Sequence, residues 1–430
     1  MPSTKSSTIL SSEPIVEDCE ENTQLPSGAI PAADTLRGWL VVAGAFIYFM
    51  MSIGCVNSYG VYNQEYQINE FPHVPSSTLA WIGTMQFGTI GFLAVGSGIL
   101  VERFDARWVG GVGTIIAGTG LLAASACTTP TQLVVTQGII FGIGGSGLVV
   151  VAMSLPLQWM DKYRPLAAGI AVAGSSIGGL WMSFATRAMV SRLGRQWALR
   201  ITGLLLIAVC GAATPLMKRR IHVPPRDKII DYTVLGNAKF VILFLFGIVG
   251  MAGYYLPYAY MPSFSVVVLH QEPSWGAVIS AILNVGSFFG RIITGTLAGS
   301  IGSTNALLLS TFLAVLSILG LWLPFKNLAV LAVAAFLFGS SSGSIVSLVP
   351  VVTATLFGIK RLPSILGLIL ISYSFGMLLG SPVGGRLLDV YGHGTNYMPL
   401  LIYSGAVYAV GLVLFIILRW SMSNDIRQII

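Results

Sequence analysis

Gln158–Gly179 reads QWMDKYRPLAAGIAVAGSSIGG: a short charged turn runs straight into a segment built almost wholly from small residues. A charged turn abutting a glycine- and alanine-rich apolar run is the pattern of a helix that enters a bilayer and packs closely against its neighbours. Helices in lipid gain no hydrophobic energy from touching, so small side chains must let the backbones approach. The rest of the chain agrees. Hydrophobic residues make up 54% of it and charged residues 9%, with a mean hydropathy of +0.81, which is far outside the range of a soluble globular domain.

Windows of about 19 residues place apolar spans near 38–62, 77–101, 108–126, 132–155, 166–190 and 198–217, and again near 239–264, 275–297, 306–325, 327–352, 364–382 and 397–419. The runs are continuously apolar and do not alternate with period two, so helices are expected rather than a β-barrel. The expected fold is an all-α polytopic membrane protein with twelve transmembrane helices. Residues 1–37 are rich in Ser, Thr and Pro and carry Glu17, Asp18, Glu20 and Glu21, which predicts a disordered tail. No basic stretch precedes a short apolar one there, so no cleaved signal peptide is expected.

Lys and Arg set the orientation. Even-numbered connections hold eleven of them, including Arg103, Arg107, Lys162, Arg164, Lys360 and Arg361, whereas odd-numbered connections hold four. Both termini are therefore expected on the cytoplasmic side, in a plasma or internal membrane. The net charge of +7 is spread over short loops, which argues against a nucleic-acid partner. The four cysteines and four histidines show no metal spacing, and no metal or cofactor is expected.

Displacing the chain by 197 positions aligns Gly98 with Gly295, Leu100 with Leu297, Phe141 with Phe338, Gly142 with Gly339, Arg164 with Arg361, and Gly179 with Gly376. One constant offset matching so many residues predicts two pseudo-symmetric six-helix halves, 38–217 and 239–420, with a basic linker at 218–238 and a short tail at 421–430. Duplicated halves with a solute site between them are a transporter architecture. Gly138, Gly142 and Ser146, Gly174 and Gly178, and Gly376, Gly380 and Gly384 form four-residue ridges, suited either to sliding or to fixed packing.

The stretch from Trp159 to Ser175, with Leu166, Ala167, Gly169, Ala171, Ala173, Gly174 and Ser175, resembles the fifth-helix signature of the monocarboxylate porter branch of the major facilitator superfamily, in its fungal form. Asp34, Gly38 and Trp39 resemble part of its first-helix signature. Gly98, Glu102, Arg103 and Arg107 are similar to the superfamily's second-to-third loop. The resemblance implies the transporter fold and movement of a small organic solute, with a monocarboxylate-like anion favoured. Proton-coupled animal members use a Lys, an Asp and an Arg, and the matching positions here are Asn57, Ser287 and Arg291. Only the Arg is kept, so proton coupling stays open and a facilitator is expected. The alternatives are an exporter of a fungal secondary metabolite, an importer of a vitamin such as riboflavin, or a non-transporting receptor.

Arg291 is the leading candidate for solute binding, because a guanidinium inside a span is costly and its donor fork suits a carboxylate. Snorkelling to the interface is the competing reading. Asn57 and Asn284 are amides in apolar helices that bind either solute or a neighbouring helix. Tyr254 and Tyr258, beside Pro257, and Tyr373 are further cavity candidates. Glu102, Arg103, Arg107, Asp161, Lys162, Arg164, Lys360 and Arg361 are expected to gate the cytoplasmic side by ion pairs between the halves, or to serve topology alone. Two GxSxG stretches, Gly174–Gly178 and Gly339–Gly343, lie inside apolar spans without a strand-turn-helix context, and no phosphate-binding GxxxxGK[ST] loop occurs, so an enzyme is not expected.

Overall fold

A computed structural model describes residues 31–221, 232–360, 362–393 and 396–422. Among these residues no strand occurs, and ten helices are long and apolar enough to cross a membrane, or eleven when a pair bent by 40° at Leu93 counts as one. One of them, Arg164–Leu216, is really two: Gly194 adopts φ 78° and ψ 165°, a conformation that only glycine takes without strain, and it reverses the chain. The total is twelve.

In chain order these are α1 (Leu36–Glu70), α2 (Ser76–Phe92 continuing as Ala94–Arg103), α3 (Ala106–Ala124), α4 (Pro130–Trp159), α5 (164–193) and α6 (195–216). The second set is α7 (Ala238–Val267), α8 (Pro273–Ile301), α9 (Ser303–Trp322), α10 (Leu328–Phe357), α11 (Leu362–Tyr391) and α12 (Met398–Met422). Every expected span is present, and the helices overrun the sequence windows by a few residues at most ends. The expected tail of 1–37 lies largely outside the described residues, as do residues 222–231 of the linker at 218–238, most of the tail at 421–430, and Arg361.

Short polar side chains start the helices by satisfying amide groups that have no partner within the helix. Asp105 accepts from the Arg107 amide at α3, Asn237 from Lys239 at α7, and Asn327 from Ala329 at α10. Thr129 and Gln132 form a reciprocal capping box at α4.

The small-residue ridges pack within one half. Gly174 and Gly178 of α5 lie against the carbonyls of Phe46 and Met50 on α1, and Gly376 and Gly380 of α11 against Ile248 and Ala252 on α7. Gly142 of α4 meets Thr89 of α2, while its repeat mate Gly339 of α10 meets Leu283 of α8, the equivalent helix pair in the second half. Ser146 continues its ridge by sharing a 2.7 Å hydrogen bond with Ser97 of α2.

A different set of glycines joins the halves. Gly98 of α2 sits against the backbone of Pro363 and Ser364 at the start of α11, and Gly367 of α11 against Ala94 and Val95. Gly169 of α5 abuts the Arg291 carbonyl of α8, and Gly295 abuts Pro165 and Leu166. Gly98 and Gly295, paired by the 197-residue repeat, thus occupy equivalent crossings. All four lie toward the end of the bundle that carries the basic connections.

Candidate functional site

Halfway along the α5–α8 crossing, Arg291 turns its guanidinium inward and not to the interface, and it is only 3% exposed. Its Nη1 donates to the Val172 carbonyl at 2.7 Å, to Ser175 Oγ at 2.6 Å and to Ser176 Oγ at 2.8 Å, all on α5. Its Nε donates to the Gly343 carbonyl of α10 at 3.2 Å. The Tyr254 side chain of α7 interacts with the same guanidinium. A cation from the second half is therefore held by a helix of the first, through neutral dipoles alone.

The α5 serines are there because the small-residue pattern that lets α5 approach α1 and α8 also admits hydroxyls. Each is used twice: Ser175 Oγ donates onward to the Val172 carbonyl at 2.9 Å, and Ser176 Oγ donates to Ser287 Oγ of α8 at 3.1 Å. Ser287 stands one turn before Arg291 on the same face and is buried. Asn284 stands one turn further; its Nδ2 donates to the Ser280 carbonyl of its own helix at 2.9 Å.

Asn57 of α1 lies beside Gly179 and directs Nδ2 to the Ser175 carbonyl at a long 3.5 Å, yet it is exposed despite its place within α1. Tyr254 and Tyr258 stack with centroids 5.1 Å apart, and Tyr258 also meets Phe338 edge-on. The hydroxyls of Tyr258 and Tyr373 are buried without a hydrogen-bond partner among the described residues. Orphaned buried hydroxyls are costly, and a polar solute group would satisfy them. The structure gathers Arg291, Tyr254 and Tyr258 around one seam with Asn57 and Asn284 nearby, and it sets Tyr373 against Gly247 of α7.

The charged loops behave differently from the ion-pair expectation. Among the described residues, Asp105 pairs with Arg107 at 2.8 Å and Asp161 with Arg164 at 2.8 Å, each within one loop and one half. Residues so close in sequence meet before any partner across the seam can be reached. The cross-half contact is instead a cap, because Glu102 Oε1 accepts from the Ser364 amide at the start of α11 at 3.1 Å. There a carboxylate faces the positive end of a helix dipole. Arg103, Lys162 and Lys360 are exposed, with Lys162 resting over the Tyr163 ring.

Two further features went unread in the sequence. Asp34, in the segment before α1, accepts from the amides of Asp161, Lys162 and Tyr163, while its own amide donates to the Trp159 carbonyl at 3.0 Å. Partial burial pushes its carboxyl up, but the three backbone donors, Lys162 first, outweigh this and hold it below the usual carboxylate range. The two stretches that carried the family resemblance in α1 and α5 are therefore physically one unit. At the opposite end, Arg195 is buried, donates to Glu70 at 3.0 Å and to the Cys127 carbonyl at 3.1 Å, and covers the Tyr66 ring. It is buried although it directly follows the chain reversal at Gly194.

The family model of the Major Facilitator Superfamily matches residues 40–325. This chain belongs to that superfamily. Among superfamily relatives, it is 29% identical over 395 residues to the MFS-type transporter opdF of Penicillium oxalicum, covering 90% of this chain and 92% of that one. It is 30% identical over 389 residues to the aspyridones efflux protein apdF of Emericella nidulans, covering 88% and 77%. The crystal structure of the superfamily transporter FucP in the outward conformation superposes with a TM-score of 0.69 at 13% identity, over 88% of this chain and 98% of that one, and supports the fold. The protein is a superfamily transporter of a small organic solute, as its membership and its relatives establish.

Proposed function

We propose that the solute is a small organic anion with an aromatic or otherwise planar body, moved by alternating access around Arg291. The observation that carries this reading is a buried guanidinium at the seam of the halves whose partners are all neutral. A carboxylate offers it a charge-assisted, bidentate partner that dipoles do not. The stacked tyrosines supply a flat apolar wall, and their unpartnered hydroxyl supplies a donor. The efflux role of the aspyridones protein supports export of a fungal secondary metabolite as the direction of travel. The likeness of Trp159–Ser175 and Asp34–Trp39 to the monocarboxylate porter branch supports the choice of an anion.

In this reading both termini and the basic connections face the cytoplasm, the plasma membrane is the favoured location, and residues 38–217 and 239–420 are the rocking halves joined by 218–238. Asn57 and Asn284 line the solute path, and Tyr373 closes it toward α7. Glu102 gates through its cap on α11, while the remaining loop charges fix topology. No chemistry on the solute is involved, since the serines of both GxSxG stretches belong to helices. The test is flux of aromatic monocarboxylates in proteoliposomes carrying wild type or Arg291→Ala. Loss of carboxylate flux in a folded variant supports the reading, and equal flux for the two proteins removes Arg291 from the solute path.

A further inference from the structure

Arg291 is surrounded by Val172, Ser175 and Ser176 on α5, Tyr254 on α7, Ser287 on α8 and Gly343 on α10. None of these groups titrates near neutral pH in a buried setting. The acidic side chains among the described residues stand at helix ends or in connections: Asp34, Glu102, Asp105 and Asp161 at the basic end, and Glu65, Glu70, Glu272 and Asp389 at the other. The histidines among them, His73, His270 and His393, lie in connections at that other end. The remaining eight acidic residues fall in 1–30, 222–231 and 423–430, outside every span.

We infer that the central site carries one fixed positive charge and takes up a monoanion without a proton or other co-ion, so that each transport cycle moves one net negative charge across the membrane. The membrane potential is then the driving force. An anion is expelled from the negative compartment, so the cytosol loses it whether the protein sits in the plasma membrane or in an internal membrane whose lumen is positive. One elementary charge across 100 mV corresponds to an equilibrium concentration ratio of about 50-fold. Export therefore needs neither ATP nor a pH gradient. Ser287 is the residue that sets this behaviour: with Ser176 it fills the position beside the guanidinium with hydroxyls, where a carboxylate would cancel the charge.

The inference rests on the anion reading above, and its test separates the two. Benzenesulfonate is the probe, because it stays anionic at any working pH and cannot carry a proton. The full chain is reconstituted in liposomes, potassium diffusion potentials of either sign are imposed with valinomycin, and labelled benzenesulfonate flux is followed at equal pH on both sides. The expected result is Arg291-dependent accumulation on the positive side, reversing when the potential is reversed, with no response to a pH gradient at fixed potential. Arg291-dependent flux that ignores the potential overturns the inference and leaves the anion reading standing. Flux identical in wild type and Arg291→Ala, or none in either, overturns both. Ser287→Asp keeps Arg291; it is expected to lower the flux at pH 7.5 at least tenfold and to recover it on acidification. Unchanged flux in that variant sinks the role given to Ser287.

Discussion

Arg291 Nη1 donates to the Val172 carbonyl at 2.7 Å across the seam between the halves, so the cation proposed to bind solute is also a strut that ties α8 to α5. Solute that draws the guanidinium toward itself weakens the strut. Arg291→Lys keeps the charge but loses the fork that reaches α5 and α10 together. We expect it to retain less than a tenth of wild-type flux while melting within a few degrees of wild type, measured by transport and by thermal unfolding in detergent. Full activity in the Lys variant would mean that charge alone is needed.

Glu102 and the Ser364 amide form the cap that ties α2 to α11. Removing a carboxylate from a helix start costs about 1 kcal/mol, which is roughly a five-fold change in an equilibrium. Glu102→Ala should shift the population toward a basic end that is open. Distances between spin labels at Arg103→Cys and Lys360→Cys, with the native cysteines replaced, would lengthen in a growing fraction of molecules. An unaltered distribution would show that the glycine crossings alone hold this end shut.

Those crossings leave no room for a side chain, since a Cβ at Gly295 would meet the backbone of Pro165 and Leu166. Gly295→Val should force the crossing apart and abolish cycling, with flux below a tenth of wild type and the same spin-label pair moved outward. Gly299, which has open space around it, should accept Ala with flux unchanged within two-fold.

Asp34 has its carboxyl held low, so its contribution is present above the ordinary carboxylate range near pH 4 and is lost as pH falls through the lowered folded value. Hydrogen exchange at the Asp161, Lys162 and Tyr163 amides reads this directly. At pH 7, Asp34→Ala should speed exchange there about five-fold, from a loss of about 1 kcal/mol. Wild type should approach the variant's protection only below about pH 4. Equal protection in both proteins at neutral pH would remove Asp34 as the cap of this loop.

The Arg195–Glu70 pair predicts the opposite signature, a change in stability with little change in transport. Glu70→Ala strands a buried guanidinium, but Glu70 itself is 34% exposed, so water softens the loss to about 1 to 2 kcal/mol. A lowered melting temperature with flux within two-fold of wild type is expected.

The spans, the duplication and the intramembrane Arg291 were legible because each is a property of consecutive residues or of a fixed offset. What was not legible is which neighbour a residue faces. Gly98, Gly169 and Gly174 look alike in sequence, yet the first two cross between halves and the third packs inside one. Arg195 and Arg192 are three residues apart on either side of a reversal, and only Arg195 is turned into the protein. The loop charges offered many cross-half pairings, and short-range geometry within Asp105–Arg107 and Asp161–Arg164 pre-empted them.

The four glycine crossings at the basic end are made by main chain against main chain, so their fit is indifferent to the side chains that line the solute path. On the proposed reading, a lineage built on this frame is free to rework Asn57, Tyr258 or Tyr373 for new cargo without rebuilding those crossings. Evolution of specificity and evolution of the machine are thereby separated, and laboratory redesign can exploit the same division.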